Sequence, residues 1–144
     1  MSNVLIVYHS QTGNTKKMAE AVAEGVIAHG GNAILKHAPE ADENDLLNCD
    51  ALIVGTPNYF SYMAGMVKDF FDRVWFTVRD KMEGRPFACF GSYGGGGTPA
   101  IESVEHICEG LRMKRVSDCV HTAREPSDDI LAQCKALGAK VAGF

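Results

Sequence analysis

The chain has 144 residues, of which 46% are hydrophobic and 22% charged, a composition that excludes a disordered or fibrous protein and predicts one domain over residues 1–144. Its formal net charge is −4, and it has no run of five or six like charges, which excludes a basic nucleic-acid-binding face. The apolar runs are far shorter than the roughly 20 residues that cross a membrane, and the N-terminus does not resemble a secretory signal, so we expect a cytoplasmic protein that binds no membrane.

Short apolar runs typical of strands alternate along the chain with segments of helical period. The predicted strands are Asn3–Tyr8, Asn32–His37, Ala51–Gly55, Pro86–Gly91 and Val116–Thr122. The predicted helices are Met18–Val26 with Asn14 or Thr15 as N-cap, Ala64–Phe76, Pro99–Leu111, and a last helix from the capping residue Ser127 through Val141. This alternation predicts an α/β fold, in which a parallel sheet is covered on both faces by helices and ligands bind at the carboxyl ends of the strands.

Cysteine and histidine residues do not form a recognisable metal or disulfide motif. We interpret all five cysteines as buried, reduced thiols: Cys49, Cys89, Cys108, Cys119 and Cys134. Of the histidines, only His9 lies in a predicted site, and the others are interpreted as surface or strand-end residues: His29, His37, His106 and His121. We therefore predict no metal centre.

The loop after the first predicted strand is rich in hydroxyl groups and leads directly into a helix. It contains Ser10, Gln11, Thr12, Gly13, Asn14 and Thr15. Backbone N–H groups at a helix N-terminus and neighbouring hydroxyls bind anions such as phosphate. The loop has neither the G-x-x-x-x-G-K-[ST] nor the G-x-G-x-x-G spacing, which disfavours a nucleoside triphosphate. An ordinary capped turn between strand and helix is the alternative.

With its core Thr12-Gly13-Asn14-Thr15, this loop resembles the phosphate loop of flavodoxins. The segments Phe90–Gly94 and Glu125–Phe144 are also similar to those of short-chain, clostridial-type members. The resemblance implies FMN as cofactor, with its phosphate held by hydroxyls and backbone amides and without an Arg or Lys countercharge. It also implies a doubly wound five-stranded parallel sheet of order 2-1-3-4-5, for which flavodoxin itself is a standard example of ligand binding where the strand order reverses.

The loop after the third predicted strand carries a different resemblance. Its pattern G-T-P-x-x-F-x-x-M-x-G, continued by Phe70 and Asp72, resembles the tryptophan-repressor-binding-protein type of NAD(P)H:quinone oxidoreductase more than the carriers. The cofactor contacts expected here come from Thr56, Pro57, Asn58, Tyr59 and Phe60. Tyr59 and Phe60 are expected to lie against the apolar end of the flavin ring, whereas Met63 is interpreted as core.

A glycine-rich loop follows the fourth predicted strand. Its candidate cofactor contacts are Gly91, Ser92, Tyr93, Gly94, Gly95 and Gly96. Glycine lets a backbone approach a planar ligand closely, and Tyr93 is expected to stack on it. Short-chain flavodoxins carry a large aromatic and an acidic residue where this chain has Gly95 and Gly97, so we expect a less covered flavin. A flexible hinge is the alternative.

Two departures from the carrier pattern bear on the reaction. Flavodoxins stabilise the neutral semiquinone with a peptide that flips at a glycine, but Thr56–Tyr62 has no glycine, and Asn58 is the residue there that tolerates a left-handed conformation. They also disfavour the reduced anion with carboxylates near the ring, yet Gly91–Pro99 has none, and Glu102 and Glu105 are interpreted as solvated. Both departures argue against a very low potential.

We nevertheless expect an electron carrier that passes electrons between redox partner proteins, because the chain is short for the resembling quinone reductases. The alternative is an FMN-dependent NAD(P)H:quinone or flavin oxidoreductase that transfers two electrons. A flavin-free receiver-type module is disfavoured, since neither loop at the ends of strands one and three supplies the acidic residues that hold Mg²⁺. The expected oligomeric state is a monomer or a weak dimer.

Overall fold

The computed structural model describes residues 2–144 and contains six strands, five α-helices and one 3₁₀ turn in this part of the chain. Their order is β1 (Asn3–Tyr8), α1 (Asn14–Ala28), β2 (Asn32–His37), the 3₁₀ turn (Ala38–Glu40), α2 (Glu43–Asn48), β3 (Ala51–Pro57), α3 (Gly65–Val78), β4 (Pro86–Tyr93), α4 (Pro99–Gly110), β5 (Lys114–Arg115), β6 (Val120–Ala123) and α5 (Asp128–Ala142). Within residues 2–144, no helix is both long enough and apolar enough to cross a membrane.

The strands form one parallel sheet of order β2-β1-β3-β4-β5, with β6 also paired to β4, which confirms the predicted topology. The prediction of a single fifth strand over Val116–Thr122 was wrong, because residues 116–119 are irregular, β5 lies before them and β6 begins only at Val120. Strand β5 pairs with the start of β4 and β6 with its end. Between them the Ser117 hydroxyl donates to the Asp118 carbonyl oxygen at 3.0 Å, a local bond that competes with strand pairing.

Both faces of the sheet are covered, so its central strands are apolar throughout. In β1, Val4 and Ile6 pack into the cluster under α1 and α5. Leu5 and Val7 point the other way, into the cluster under α2, α3 and α4. Because successive side chains of a strand alternate between faces, this run of four buried residues serves both cores.

The cysteine prediction is confirmed for four residues. Cys49, Cys89, Cys108 and Cys134 are buried free thiols, and burial raises the pKa of each. Cys119 is only half-buried, because it lies in the irregular segment between β5 and β6.

Helix starts show where local sequence signals succeed and fail. The Ser127 hydroxyl accepts a hydrogen bond from the N–H of Ile130, so the predicted cap of α5 is confirmed. In α1 the N-cap is Gly13 and not Asn14 or Thr15, because those two residues already lie within the helix. Helix α2 was missed, although Asp42 and Asp45 form a reciprocal capping box at its start.

Candidate functional site

Three loops meet at the carboxyl edge of the sheet, following β1, β3 and β4. They enclose a cavity of about 220 Å³ beside the point where the strand order reverses. Its lining residues are Ser10, Gln11, Thr12, Asn14, Thr15, Pro57, Asn58, Tyr59, Ser92, Tyr93, Gly94 and Arg124. Eleven of these twelve belong to the set predicted from the sequence. The cavity is smaller than the ~300–1,000 Å³ of typical ligand pockets, so a ligand the size of FMN would be only partly enclosed.

The N-terminus of α1 opens towards this cavity without a side-chain cap. Gly13 occupies the N-cap position with a φ of 100°, and its N–H donates to the Ser10 hydroxyl at 3.1 Å. The first N–H groups of a helix have no partner within the helix, and the helix dipole makes this end positive. The loop therefore offers donors to an anion in the way that phosphate sites at helix N-termini do.

Hydrogen bonds hold the three loops together around the cavity. The buried hydroxyls of Thr15 and Ser92 are 2.8 Å apart, which joins α1 to the end of β4. The Asn58 backbone N–H donates to the Ser92 carbonyl oxygen at 2.9 Å, and its side-chain amide donates to the Gly95 carbonyl oxygen at 3.2 Å. The remaining amide oxygen, Asn58 Oδ1, is buried without a partner. A buried acceptor of this kind suits the N–H or O–H donors of a flavin or its ribityl chain.

Tyr59 connects the loop after β3 to the loop after β1. Its hydroxyl donates to Gln11 Oε1 at 3.0 Å, and its ring lies edge-on to the His9 imidazole at 6.1 Å. His9 Nδ1 is 2.9 Å from His37 Nε2, and the two imidazoles are stacked. Burial, together with the neighbouring His37, lowers the pKa of His9. His37 thus takes part in the surroundings of the site, which the strand-end interpretation did not anticipate.

The chain between β3 and α3 forms a tight hairpin. Tyr59 and Tyr62 exchange two backbone hydrogen bonds of 3.1 Å, and both residues between them are left-handed, with φ 56° at Phe60 and 61° at Ser61. Asn58, the residue in this segment that tolerates a left-handed conformation, does not adopt one, because hairpin geometry places that conformation at the two tip positions. The Phe60 side chain is fully exposed and does not line the cavity.

The other predicted contacts outside the lining surround or support it. Thr56 is buried, and its hydroxyl accepts from the Ala64 N–H at 3.0 Å, which fixes the base of the hairpin. Gly91 is buried within β4, where a Cβ would collide with the Thr56 carbonyl oxygen. Gly95 and Gly96 lie beside Asn58, and Gly13 is the N-cap described above.

Two neighbours of the cavity were missed from the sequence. Arg124 lines it directly after β6, and His121 Nδ1 lies 2.9 Å from the Tyr93 hydroxyl, with the two rings tilted against each other. Both residues lie near the carboxyl end of β6, a position that would have indicated a place near the cavity. The incorrect bounds of the predicted fifth strand hid this position. Tyr93 therefore contacts a histidine in this structure.

Glu105 corrects a further interpretation, since it is 7% exposed and not solvated. Arg115 donates to it at 3.2 Å. Its burial could have been predicted, because it lies in α4 next to the buried residues Ile101, Val104 and Cys108. The Glu105 carboxylate is thus paired with Arg115 and does not line the cavity.

Other surface features do not compete with this cavity as a site. A larger concavity of about 450 Å³ lies over the groove between α1 and α5. None of its lining residues comes from the loops at the carboxyl edge of the sheet. Among residues 2–144, no group of three or more His, Cys, Asp or Glu side chains could hold a metal ion. We therefore take the edge cavity as the candidate site.

Comparison with known proteins agrees with this geometry. The flavodoxin family model matches residues 6–138. The chain is 40% identical over 108 residues to a flavodoxin of Aquifex aeolicus, covering 72% of this chain and 58% of that protein, and 33% identical over 141 residues to a flavodoxin of Clostridium beijerinckii, covering 96% and 99%. It is 32% identical over 120 residues to an NAD(P)H dehydrogenase (quinone) of Archaeoglobus fulgidus, covering 64% and 62%.

A solved structure of a flavodoxin from the domain Archaea superposes with a TM-score of 0.89 at 26% identity, covering 98% of this chain and 96% of that one. The chain thus spans nearly all of the clostridial relative, but less than two thirds of the Aquifex and Archaeoglobus proteins.

Proposed function

Since the chain belongs to the flavodoxin family of flavin-binding electron-transfer proteins, we propose that its cofactor is FMN and that it carries electrons between redox partner proteins. The observation that carries the proposal is the meeting of eleven sequence-predicted residues around one cavity, beside the uncapped N-terminus of α1. FMN supplies the redox chemistry when bound, because its ring system accepts electrons and protons, and the protein provides binding and orientation.

The residues have separate parts in this proposal. Ser10, Thr12 and the first N–H groups of α1 bind the phosphate, and Asn58 offers its unpartnered oxygen to a donor of the cofactor. Tyr59 and Tyr93 are the aromatic residues that contact the ring system. A cytoplasmic location and a monomer or weak dimer remain predictions.

A second candidate is an NAD(P)H:quinone or flavin oxidoreductase that uses the same cofactor. Two observations favour it: the relationship to quinone-type NAD(P)H dehydrogenases, and a cavity lining without a single carboxylate among the described residues. Without nearby negative charge, a second electron on the cofactor meets less electrostatic resistance.

An anaerobic reductive titration of the FMN-loaded protein, followed by one addition of NADH or NADPH, separates the two candidates. A carrier takes up its two electrons at separate potentials and is not reduced by the nicotinamide. Uptake of both electrons in one step, with direct reduction by the nicotinamide, would establish the oxidoreductase. Absence of FMN binding by the apoprotein would contradict both.

A further inference from the structure

We infer that the Arg124 guanidinium binds the phosphate of the cofactor. This inference rests on the proposed function for the identity of the ligand as FMN. It departs from the expectation, taken from the flavodoxin resemblance, of a phosphate held without a countercharge. Three observations about Arg124 carry it: its position, its lack of a partner and its backbone conformation.

The position of Arg124 is fixed from two sides. Its backbone N–H donates to the Tyr93 carbonyl oxygen at 2.6 Å, which anchors it to the loop after β4. The next residue, Glu125, accepts a hydrogen bond of 2.7 Å from Lys17 in the first turns of α1. Arg124 is therefore held between the loop after β4 and the N-terminus of α1, and it lines the same cavity as Ser10, Thr12 and Thr15.

Arg124 has no partner in the described part of the chain. Its guanidinium forms no salt bridge and no side-chain hydrogen bond among residues 2–144, whereas the adjacent charges of Glu125 and Lys17 neutralise each other. Every other residue that lines the cavity is formally neutral, so Arg124 is its one formal charge. A guanidinium presents several N–H donors in a planar fork that matches the oxygens of a phosphate.

The backbone of Arg124 adds a third observation. Its φ is 62°, a left-handed conformation that non-glycine residues rarely adopt. Residues in such a conformation concentrate at active and ligand-binding sites, where the surrounding structure holds the backbone against its preference. Arg112 has nearly the same φ, 61°, but lies near Glu83 and away from the cavity. The chain thus offers a control arginine of matched charge and backbone conformation.

The test compares FMN with riboflavin, which lacks the phosphate. Dissociation constants of the apoprotein are measured by quenching of flavin fluorescence, at low and high salt. For Arg124→Gln we expect FMN affinity to fall about tenfold, the size of a charge-assisted hydrogen bond, with riboflavin affinity unchanged. The salt dependence of FMN binding should weaken as well. Arg112→Gln should bind both flavins as the unchanged protein does.

A second variant separates a ligand role from a backbone role. Arg124→Gly removes the guanidinium while relieving the left-handed strain, so we expect a more heat-stable apoprotein that binds FMN as weakly as Arg124→Gln. Arg124→Lys keeps the charge but loses the fork and should recover part of the affinity.

The outcomes are distinguishable. If the unchanged apoprotein binds neither flavin, the proposed function fails and the inference with it. If it binds FMN and Arg124→Gln keeps the same preference for FMN over riboflavin, only the inference is overturned. An equal loss of both flavins would also overturn it, because that pattern assigns Arg124 to another part of the cofactor or to the fold.

Discussion

The loops after β1 and β3 end at the same edge of the sheet and both turn through left-handed backbone, but they do so with different residues. In the loop after β1 the left-handed residue is Gly13, for which this conformation is free of strain. In the loop after β3 it is adopted by two successive side-chain-bearing residues, Phe60 and Ser61. A two-residue hairpin of this geometry usually carries Asn-Gly at these positions.

The difference separates a loop that turns without strain beside the cavity from a loop that turns with strain and carries an exposed side chain at its tip. Around Gly13 the first N–H groups of α1 have no side-chain cap, and Ser10 and Thr12 line the cavity beside them. In the hairpin, left-handed backbone costs roughly 1–2 kcal/mol per residue. The cross-hairpin bonds and the Thr56 hydroxyl hold it in place, and the result is a fully exposed Phe60 at the tip.

The largest effect on this comparison is expected from a negative charge in the loop after β1. Thr12→Asp should reduce FMN affinity by at least ~100-fold, because a carboxylate a few ångströms from a phosphate repels it in a partly dry site. Equilibrium binding to the apoprotein measures the effect. Thr77→Asp, on the exposed side of α3, is the matched control and should bind FMN normally. Full affinity in Thr12→Asp would remove the phosphate from this loop.

A smaller effect is expected when the hairpin receives its usual turn residues. Phe60→Asn combined with Ser61→Gly should raise the free energy of unfolding of the apoprotein by about 1–2 kcal/mol, because both new residues tolerate the left-handed region. Denaturant unfolding gives this value. An unchanged or lower stability would contradict the assignment of strain to the hairpin.

The complementary change removes the strain-free glycine from the loop after β1. Gly13→Ala should lower the free energy of unfolding by about 1 kcal/mol, because alanine resists a φ of 100° although its Cβ would meet open space. The same denaturant experiment checks it, with Gly65→Ala as control at a helix start where φ is not positive. Equal effects of the two substitutions would contradict the argument from conformation.

The same contrast explains what could be predicted from the sequence. The fold followed from apolar strands alternating with amphipathic helices, and the cavity-lining loop after β1 followed from hydroxyls and a glycine whose roles are local. The left-handed Phe60 and Ser61 could not be predicted, because the hydrogen bonds that close the hairpin override residue preference. Arg124 was missed because its place in the cavity lining depends on the end of β6 lying beside α1, which the sequence does not show.

The smallest expected effect concerns the contact that couples the two loops, the His9 ring against Tyr59. Burial and His37 lower the pKa of His9 from the ordinary value of 6.5, so the unfolded chain binds a proton at this position more readily than the folded one. The free energy of unfolding should therefore be largest above the unfolded pKa and fall as the pH decreases through 6.5 towards the lower folded pKa.

His9→Gln isolates this contribution, because carboxylates with lowered pKa, such as Asp42 and Glu125, act in both proteins and at lower pH. The difference in free energy of unfolding between the unchanged protein and His9→Gln should shrink as the pH falls from about 7.5 to about 5.5. The ring NMR signals of Tyr59 should shift over the same range, since protonating His9 changes the charge of the ring that Tyr59 packs against. Parallel stability curves would contradict this argument, because they would show that His9 protonation is not linked to folding.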